Sequence, residues 1–542
     1  MENTTGPAAA TSRRGFLRLA GVIGAAATVA GTVAACGGEN PNKRTAGQTG
    51  QTGGAKQDGT IVAGISYELG TNGYDPMSTS AALTVAANWH TLEGLTEILP
   101  AADRQVYAAL GADLPTKIDE TTYEVSLREG AVFHDGSPVT TDDVVFSFER
   151  VLDPKNASLY ASFVPFIDSV TAKDDKTVSI RLKYAFSLIN ERLAVVKIVP
   201  KAAVEADPKA FDANPVGTGP YKMTDNGAAT KSIKFERFAD YKGPYPAKAA
   251  AMEWKILPDD STRTNGLQSR TVQAIDSVPY LSIKTIESTA KVESVQGFGL
   301  LFAMFNNGSA PFDNVKNRQA VMYALDMDKI IQTALLGNAT AATCFVPEDH
   351  PAYKKASTVY AFDAAKAKSL LGETGLTKIR MLCTDHSWVK QATPIMKESL
   401  EAVGLQVEFA EKKSADVYTT IDGQGGSYDL VIAPGDPSVF GNDADLLLRW
   451  WYANDVWTDT RMHWKSTNAY ATVQDLLAKA VEATGDEQKT VWGQIFDAIS
   501  DDVPLYPLFH RKAPTAWDST SLVDFAPISL TGLSFLGAAS TK

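Results

Sequence analysis

The sequence predicts an α/β protein, on three observations. From about Asn314 onward, helical patterns (315–336, 363–371, 390–403) alternate with short strand patterns (378–383, 406–410, 428–433), as βα units laid around a sheet do. Earlier in the chain, residues 123–127 and 176–183 alternate apolar and polar. In the latter Val178, Ile180 and Leu182 fall on one face, as in half-buried strands. The 542 residues are 44% apolar and 21% charged, an ordinary globular make-up with material for two or three domains.

The chain opens on Ser12-Arg13-Arg14-Gly15-Phe16-Leu17, two adjacent arginines ahead of an apolar run that extends to Ala35. This pattern reads as a twin-arginine export signal. The run is rich in Ala, Gly, Thr and Val, mild for an uncleaved anchor, which needs about 20 strongly apolar residues. It ends at Val33-Ala34-Ala35-Cys36-Gly37, a lipobox in which cleavage precedes a cysteine that receives lipid. Residues 1–35 are therefore the signal peptide and Cys36 the lipidation site. Residues 36–58, poor in apolar side chains, form a flexible tether. The expected location is the extracellular face of the cell membrane, held there by acyl chains worth about 0.8 kcal/mol per buried methylene.

A strand is expected at 59–66 and a helix followed by a turn over 81–99. Thr140 and Asp143 stand at capping-box spacing before an apolar run. Gly217-Thr218-Gly219-Pro220 lacks the lysine and helix start of a phosphate cradle and reads as a structural turn. Late helices are expected at 473–483 and 488–500. Residues 503–509, apolar and punctuated by Pro504 and Pro507, suit a strand edge or a crossing segment.

Net charge is −12, which argues against nucleic acid as a partner. No phosphate loop, His-Glu-x-x-His, Cys-x-x-Cys or Gly-x-Ser-x-Gly elbow occurs. The 6 histidines are scattered without metal-ligand spacing. No enzyme, cofactor or metal is expected. Of the 3 cysteines, Cys344 and Cys383 remain once Cys36 is acylated. They are either bridged, as an exported protein permits, or two separate buried thiols.

Several runs resemble one family. They are Asp58-Gly59-Thr60-Ile61, Leu92-Glu93-Gly94-Leu95, the segment from Leu127-Arg128-Glu129-Gly130 through Phe133-His134-Asp135-Gly136-Ser137-Pro138 to Asp142-Asp143-Val144, Asn214-Pro215-Val216-Gly217-Thr218-Gly219-Pro220-Tyr221-Lys222, and Asn317-Arg318-Gln319-Ala320-Val321-Met322-Tyr323-Ala324-Leu325-Asp326. The resemblance is to the family 5 extracellular solute-binding proteins of ATP-binding-cassette (ABC) importers, the oligopeptide-, dipeptide- and nickel-binding group. It implies a two-lobed periplasmic-binding-protein fold with an extra subdomain and a hinge between lobes. Lobe I comprises 59–90, 215–297 and 504–542, with the subdomain at 91–214; lobe II is 298–503. Crossings fall near 296–302 and 503–509. The implied function is capture of a small solute, an oligopeptide foremost, and delivery to permease subunits, by a monomer. An oligosaccharide binder, a ligand-presenting sensor, and a surface hydrolase or chaperone are the alternatives. The two most specific runs, the one through Phe133-His134-Asp135-Gly136-Ser137-Pro138 and the one from Asn214 to Tyr221, have plain structural readings as a turn into a capped helix and a turn into a strand, and are expected to be scaffold.

The resemblance also points to binding residues. In peptide-binding relatives the region matching 428–445 carries a Trp and then an aspartate that pairs with the ligand amine. Asp436 is the match, although Ala433 or Pro434 replaces the Trp. An alternative alignment makes Asp436 a structural Asp-Pro. Phe440, Trp450, Trp451 and Trp457, close to Tyr452 and Trp464, line a ligand pocket or build core, since flat rings bury much area at little entropy cost. Phe302, Asn306 and Asn307, just past the first crossing, are candidates to face the cleft. With so few histidines, nickel is disfavoured.

Overall fold

The computed structural model describes residues 58–542 except 71, 101–103 and 424. The twin-arginine segment, Cys36 and nearly all of the tether lie outside the described residues.

Two long strands organise the rest. Lys291–Phe305 begins half-exposed and ends in Leu300-Leu301-Phe302-Ala303-Met304-Phe305, buried throughout. A continuous apolar run of this kind suits a strand covered on both faces. It pairs antiparallel with Leu505–Trp517 from Lys291↔Trp517 to Met304↔Leu505. Residues 505–509 thus belong to a central crossing strand, not an edge. Pro507 is tolerated because the ladder steps from Leu301↔Phe509 to Phe302↔Pro507, leaving Leu508 as an extra residue where a missing N–H costs little.

This pair joins two half-sheets into one mixed sheet of 11 strands. On one side Thr60–Ile65 lies parallel to Ala251–Ile256 and to Ala274–Ile275, and Ser232–Arg237 and Tyr221–Asn226 continue the order outward. On the other, Lys378–Thr384, helix Ser387–Ala402 and the parallel strand Gln406–Lys412 form the expected βαβ unit. Helix Ser414–Gly423 then returns the chain to Leu430–Gly435, parallel to Lys378–Thr384 and antiparallel to Lys291–Phe305. The fold is α/β and two-lobed, with both crossings in the central strand pair.

Residues within 91–214 carry a separate 4-stranded sheet, Thr116–Lys117, Thr122–Ser126, Thr177–Leu182 and Ile167–Ala172 in spatial order. Helix Thr141–Leu152 packs on it and starts with the expected capping box: Thr140 accepts from the Asp143 N–H, and the Asp143 carboxylate accepts from the Thr140 N–H. The apolar core of this part is continuous with that of 298–509, whereas the Thr60–Ile65 half-sheet has its own core around Trp254.

One expected helix is divided in two. The 315–336 pattern splits into Val315–Ala324 and Met327–Ala334, because the Asp326 side chain accepts from the Lys329 N–H and begins a new helix. Within 81–99 the expected helix runs Ala82–Thr91, where Gly219 N–H donates to the Thr91 carbonyl at 3.0 Å, and a strand, Thr96–Ile98, follows. The two most specific sequence runs meet at this point. His134 Nε2–H donates to the Gly219 carbonyl at 3.0 Å, and His134 Nδ1 accepts from Gly217 N–H at 3.3 Å. A Cβ on Gly217 would stand 1.9 Å from the Thr91 oxygen, so only glycine permits the approach. His90, one residue before, is tied likewise: Nδ1–H donates to Ala86 O and Nε2 accepts from Phe535 N–H.

Arg192, fully buried, binds Asp443 Oδ1 at 2.6 Å and Asp445 Oδ2 at 3.0 Å, while Arg449 Nε lies 2.8 Å from Asp445 Oδ2. Burial pushes the Asp445 carboxyl up, but Arg449 and Arg192 outweigh it and hold it below the usual carboxylate range. Cys344 and Cys383 are separate, buried, unbridged thiols, each pushed up by burial; the bridged alternative does not occur.

Two predictions follow from these buried groups. Asp445→Ala leaves two arginines short of a buried partner and should lower unfolding stability by about 3–5 kcal/mol in urea melts. Burial also lowers His90, His134, His386 and His510 to about 4. The unfolded chain therefore takes up protons between about pH 6.5 and 4 that the native state refuses. Stability should fall with pH across that window by about 1.4 kcal/mol per unit for each such histidine. A His134→Gln variant should show a shallower slope by about that amount in stability measured from pH 7 to 4.

Candidate ligand-binding cleft

The central ladder is interrupted once more. Gln296 pairs with Lys512 and Leu300 with His510, so residues 297–299 bulge out of register. Such irregularities bend strands and re-aim side chains next to sites. Beside this one lies a cavity of about 800 Å³, bordered by Gly299, Leu300, Arg511 and Ala513 from the crossings. Its walls come from both sides of the central strand pair: 66–70, 258–260 and 529–531 on one side, 385–388, 413–415, 434–436 and the aromatic segment on the other. The volume lies in the upper part of the range for small-molecule clefts.

One wall is aromatic. Phe302, 1% exposed, meets Trp451 and Trp457 edge-on at 5.8 and 6.1 Å between ring centres. Phe440 packs against Trp450 at 5.1 Å. Trp457 sits on a π-helical turn, Val456–Arg461, of the kind often found at functional sites. Arg461 lies 4.3 Å over the Trp457 ring, held there by Asp422 at 2.6 Å.

The polar groups are fewer. Asp436 Oδ1 accepts from Ser438 N–H at 3.2 Å, and Oδ2 accepts from Thr531 N–H at 2.8 Å. Asp436 thereby caps the turn Pro437–Val439 and ties it to the loop at Thr531. Burial pushes its carboxyl up, against hydrogen bonds from Ser438 and Thr531 and the Arg104 charge. Across the mouth, Lys413 Nζ and Glu68 Oε1 are 3.3 Å apart and both exposed. Deeper in, the rings of Tyr67 and His386 approach to 5.5 Å. Arg511 lies 4.6 Å over the Trp388 ring, donating to Tyr280 Oη at 2.8 Å and Ser277 Oγ at 3.1 Å.

The structure brings together Phe302, Asp436, Phe440, Trp450, Trp451 and Trp457 on this cavity. It does not place Asn306 and Asn307 there. Both are buried behind the strand end, where Asn307 Nδ2 donates to the Phe305 and Met462 carbonyls and Asn306 Oδ1 accepts from Gly308 N–H. They serve backbone groups that a loop must satisfy internally. Tyr452 and Trp464 are also core: Tyr452 Oη donates to Leu505 O, and Trp464 Nε1 donates to Asp502 Oδ2. Sequence reasoning missed Tyr67, His386, Trp388, Arg461 and Arg511. Arg461 carried a signal, four residues after Trp457; Arg511, two residues past the marked crossing segment, carried none of its own.

Among the described residues no group of His, Cys, Asp and Glu side chains gathers as a metal site, and no helix is long and apolar enough to cross a membrane.

Comparison with known proteins agrees with the fold. The glutathione-binding protein GsiB of Escherichia coli strain K12 is 27% identical over 493 residues, covering 89% of this chain and 94% of its own. The binding protein AgaA of A. tumefaciens R10, solved with agropinic acid, is 25% identical with a TM-score of 0.76, covering 88% of this chain and 96% of its own. DppA of Helicobacter pylori, solved with the peptide STSA, shares the fold at a TM-score of 0.78 and 20% identity, covering 90% and 98%. The model of the bacterial extracellular solute-binding proteins, family 5 Middle, matches residues 105–472. With that match over most of the chain, the protein belongs to the family 5 extracellular solute-binding proteins of ABC importers.

Proposed function

We propose that this protein, tethered to the outer face of the membrane through lipid on Cys36, captures an oligopeptide in the interlobe cleft and delivers it to an ABC permease. The observation that carries the reading is the cavity of about 800 Å³ at the crossing strands, walled by both lobes. Closing lobes around a solute removes its surface from water and needs no covalent chemistry. The relatives that match most of the chain are binding proteins, not enzymes. Peptide capture draws on the Asp436 carboxylate on the cavity wall, where burial penalises the charged form and a solute amine would offset that penalty. A second reading, a saccharide-like or opine-type solute, draws on the aromatic wall and on AgaA.

Thermal melts of the purified protein against short peptides, glutathione and sugar acids test capture, because a solute bound only by the native state must raise the melting temperature. Asp436→Ala should weaken an amine-bearing ligand tenfold or more in calorimetry. Unchanged affinity would reduce Asp436 to the tie between the 437–439 turn and Thr531. Cys36→Ser should move the protein from the membrane fraction to the medium or soluble fraction. Retention in the membrane would sink the lipid anchor.

A further inference from the structure

Among the described residues the chain passes from one half-sheet to the other along the central pair, residues 291–305 and 505–517. Contacts between residues before 291 and residues 306–504 therefore bridge the two sides of that pair without a covalent link of their own. Arg192 makes such a contact. Its side chain is fully buried, and its partners, Asp443 at 2.6 Å and Asp445 at 3.0 Å, stand on the other side of the crossing. Arg192 Nη1 also donates to the Phe163 carbonyl. The Phe163 ring stacks on Trp450 at 5.7 Å between ring centres and lies 5.5 Å from Phe440, and both of those rings border the cavity. Beside them Asn454 Nδ2 donates to the Leu159 carbonyl at 3.2 Å. A seam thus runs from Arg192 to the cavity wall.

The composition of this seam is that of a face that is wet part of the time. A buried cation between carboxylates stands near break-even against apolar groups of the same size, because desolvation consumes most of the Coulombic gain. A permanent core gains nothing by keeping one. A face that meets water when the two sides part needs groups that water satisfies. One guanidinium shared by two carboxylates and a carbonyl also fixes how the faces meet, because its donors lie in one rigid fork.

We propose that Arg192 is a positioning residue for solute capture: it leaves Asp443 and Asp445 when the two sides part and re-enters between them on closure, seating Phe163 against Phe440 and Trp450. This role rests on the cleft closing around a solute and deepens that reading. With a net gain near zero, the pair selects which closed arrangement forms and does not by itself hold the cleft shut. Removing the cation is different, since closure then buries two carboxylates with Arg449 as their remaining partner.

Spin labels on Glu120→Cys and Glu398→Cys, two exposed positions on opposite sides of the crossing, report closure in the Cys36→Ser protein, where Cys344 and Cys383 are buried. Distances are measured on protein as purified and after its solute is stripped by unfolding and refolding. With Arg192 intact, a short and a long separation should appear. Arg192→Met should lower the short-to-long ratio roughly tenfold or more, and Arg192→Lys should restore part of it. Asp443→Asn keeps a good helix cap and should lower the ratio about threefold; it decides where Arg192→Met fails to fold. A purely structural role for Arg192 would move the melting temperature and leave the ratio alone. Two separations whose ratio ignores these substitutions overturn the positioning role and leave capture intact. A single separation in every preparation overturns the role and capture by closure together.

Discussion

Everything in the molecule is referred to the antiparallel pairing of Lys291–Phe305 with Leu505–Trp517. Among the described residues this pair joins the two half-sheets, Lys291–Phe305 pairing outward with Leu430–Gly435 and Leu505–Trp517 with Ala274–Ile275. The pairing is long-range in sequence, so the chain must close a large loop to form it, a cost that grows only slowly with length. Once formed, it gives each half-sheet a straight edge on which to add strands. Its two irregularities are different in kind. The extra Leu508 accommodates a proline; the bulge at 297–299 opens the ladder beside the cavity. Gly299 and Arg511, which border the cavity, thus belong to the strand pair that joins the half-sheets, so a solute resting on them would touch that junction.

The most recognisable sequence runs do not line the cleft. Phe133-His134-Asp135-Gly136 and Gly217-Thr218-Gly219-Pro220 meet each other and the end of helix Ala82–Thr91. Their residue types are dictated by local need: a neutral imidazole with one donor and one acceptor, and glycines that let the backbone approach the Thr91 carbonyl. A family can vary its solute while keeping such joints, which is why these runs identify the family but not the ligand.

The same distinction sets what could be read from the sequence. The α/β class, the βαβ unit from Lys378 to Lys412 and the capping box at Thr140 are local patterns, and period and cap chemistry carry them directly. The split at Asp326 was missed because a cap inside a helical period is easily read as a surface aspartate. The aromatic segment was legible as chemistry but not as geometry. Trp451 and Tyr452 are adjacent on one helix, yet Trp451 lines the cavity and Tyr452 donates into the core. Arg511 and Trp388 lie 123 positions apart, and nothing short of the tertiary pairing places a guanidinium over that indole.

The charges around the cleft separate into two kinds. Arg461 is neutralised by Asp422, and Lys413 by Glu68. The second of these pairs is exposed, worth on the order of 0–1 kcal/mol, so it trims the mouth without holding the lobes shut. The Asp436–Thr531 hydrogen bond, with a charged acceptor, is worth about 1.5–3 kcal/mol, still modest against the motion of a lobe. Contacts of this size leave the balance between open and closed forms to be set by what fills the cavity. A solute held by the aromatic wall of Phe302, Trp451 and Trp457 would gain about 25 cal/mol for each further Å² of apolar surface it buries against the opposite wall, and that part of the gain would exist only with the two walls together. Differential binding of that kind is what a ligand needs to shift a two-state equilibrium.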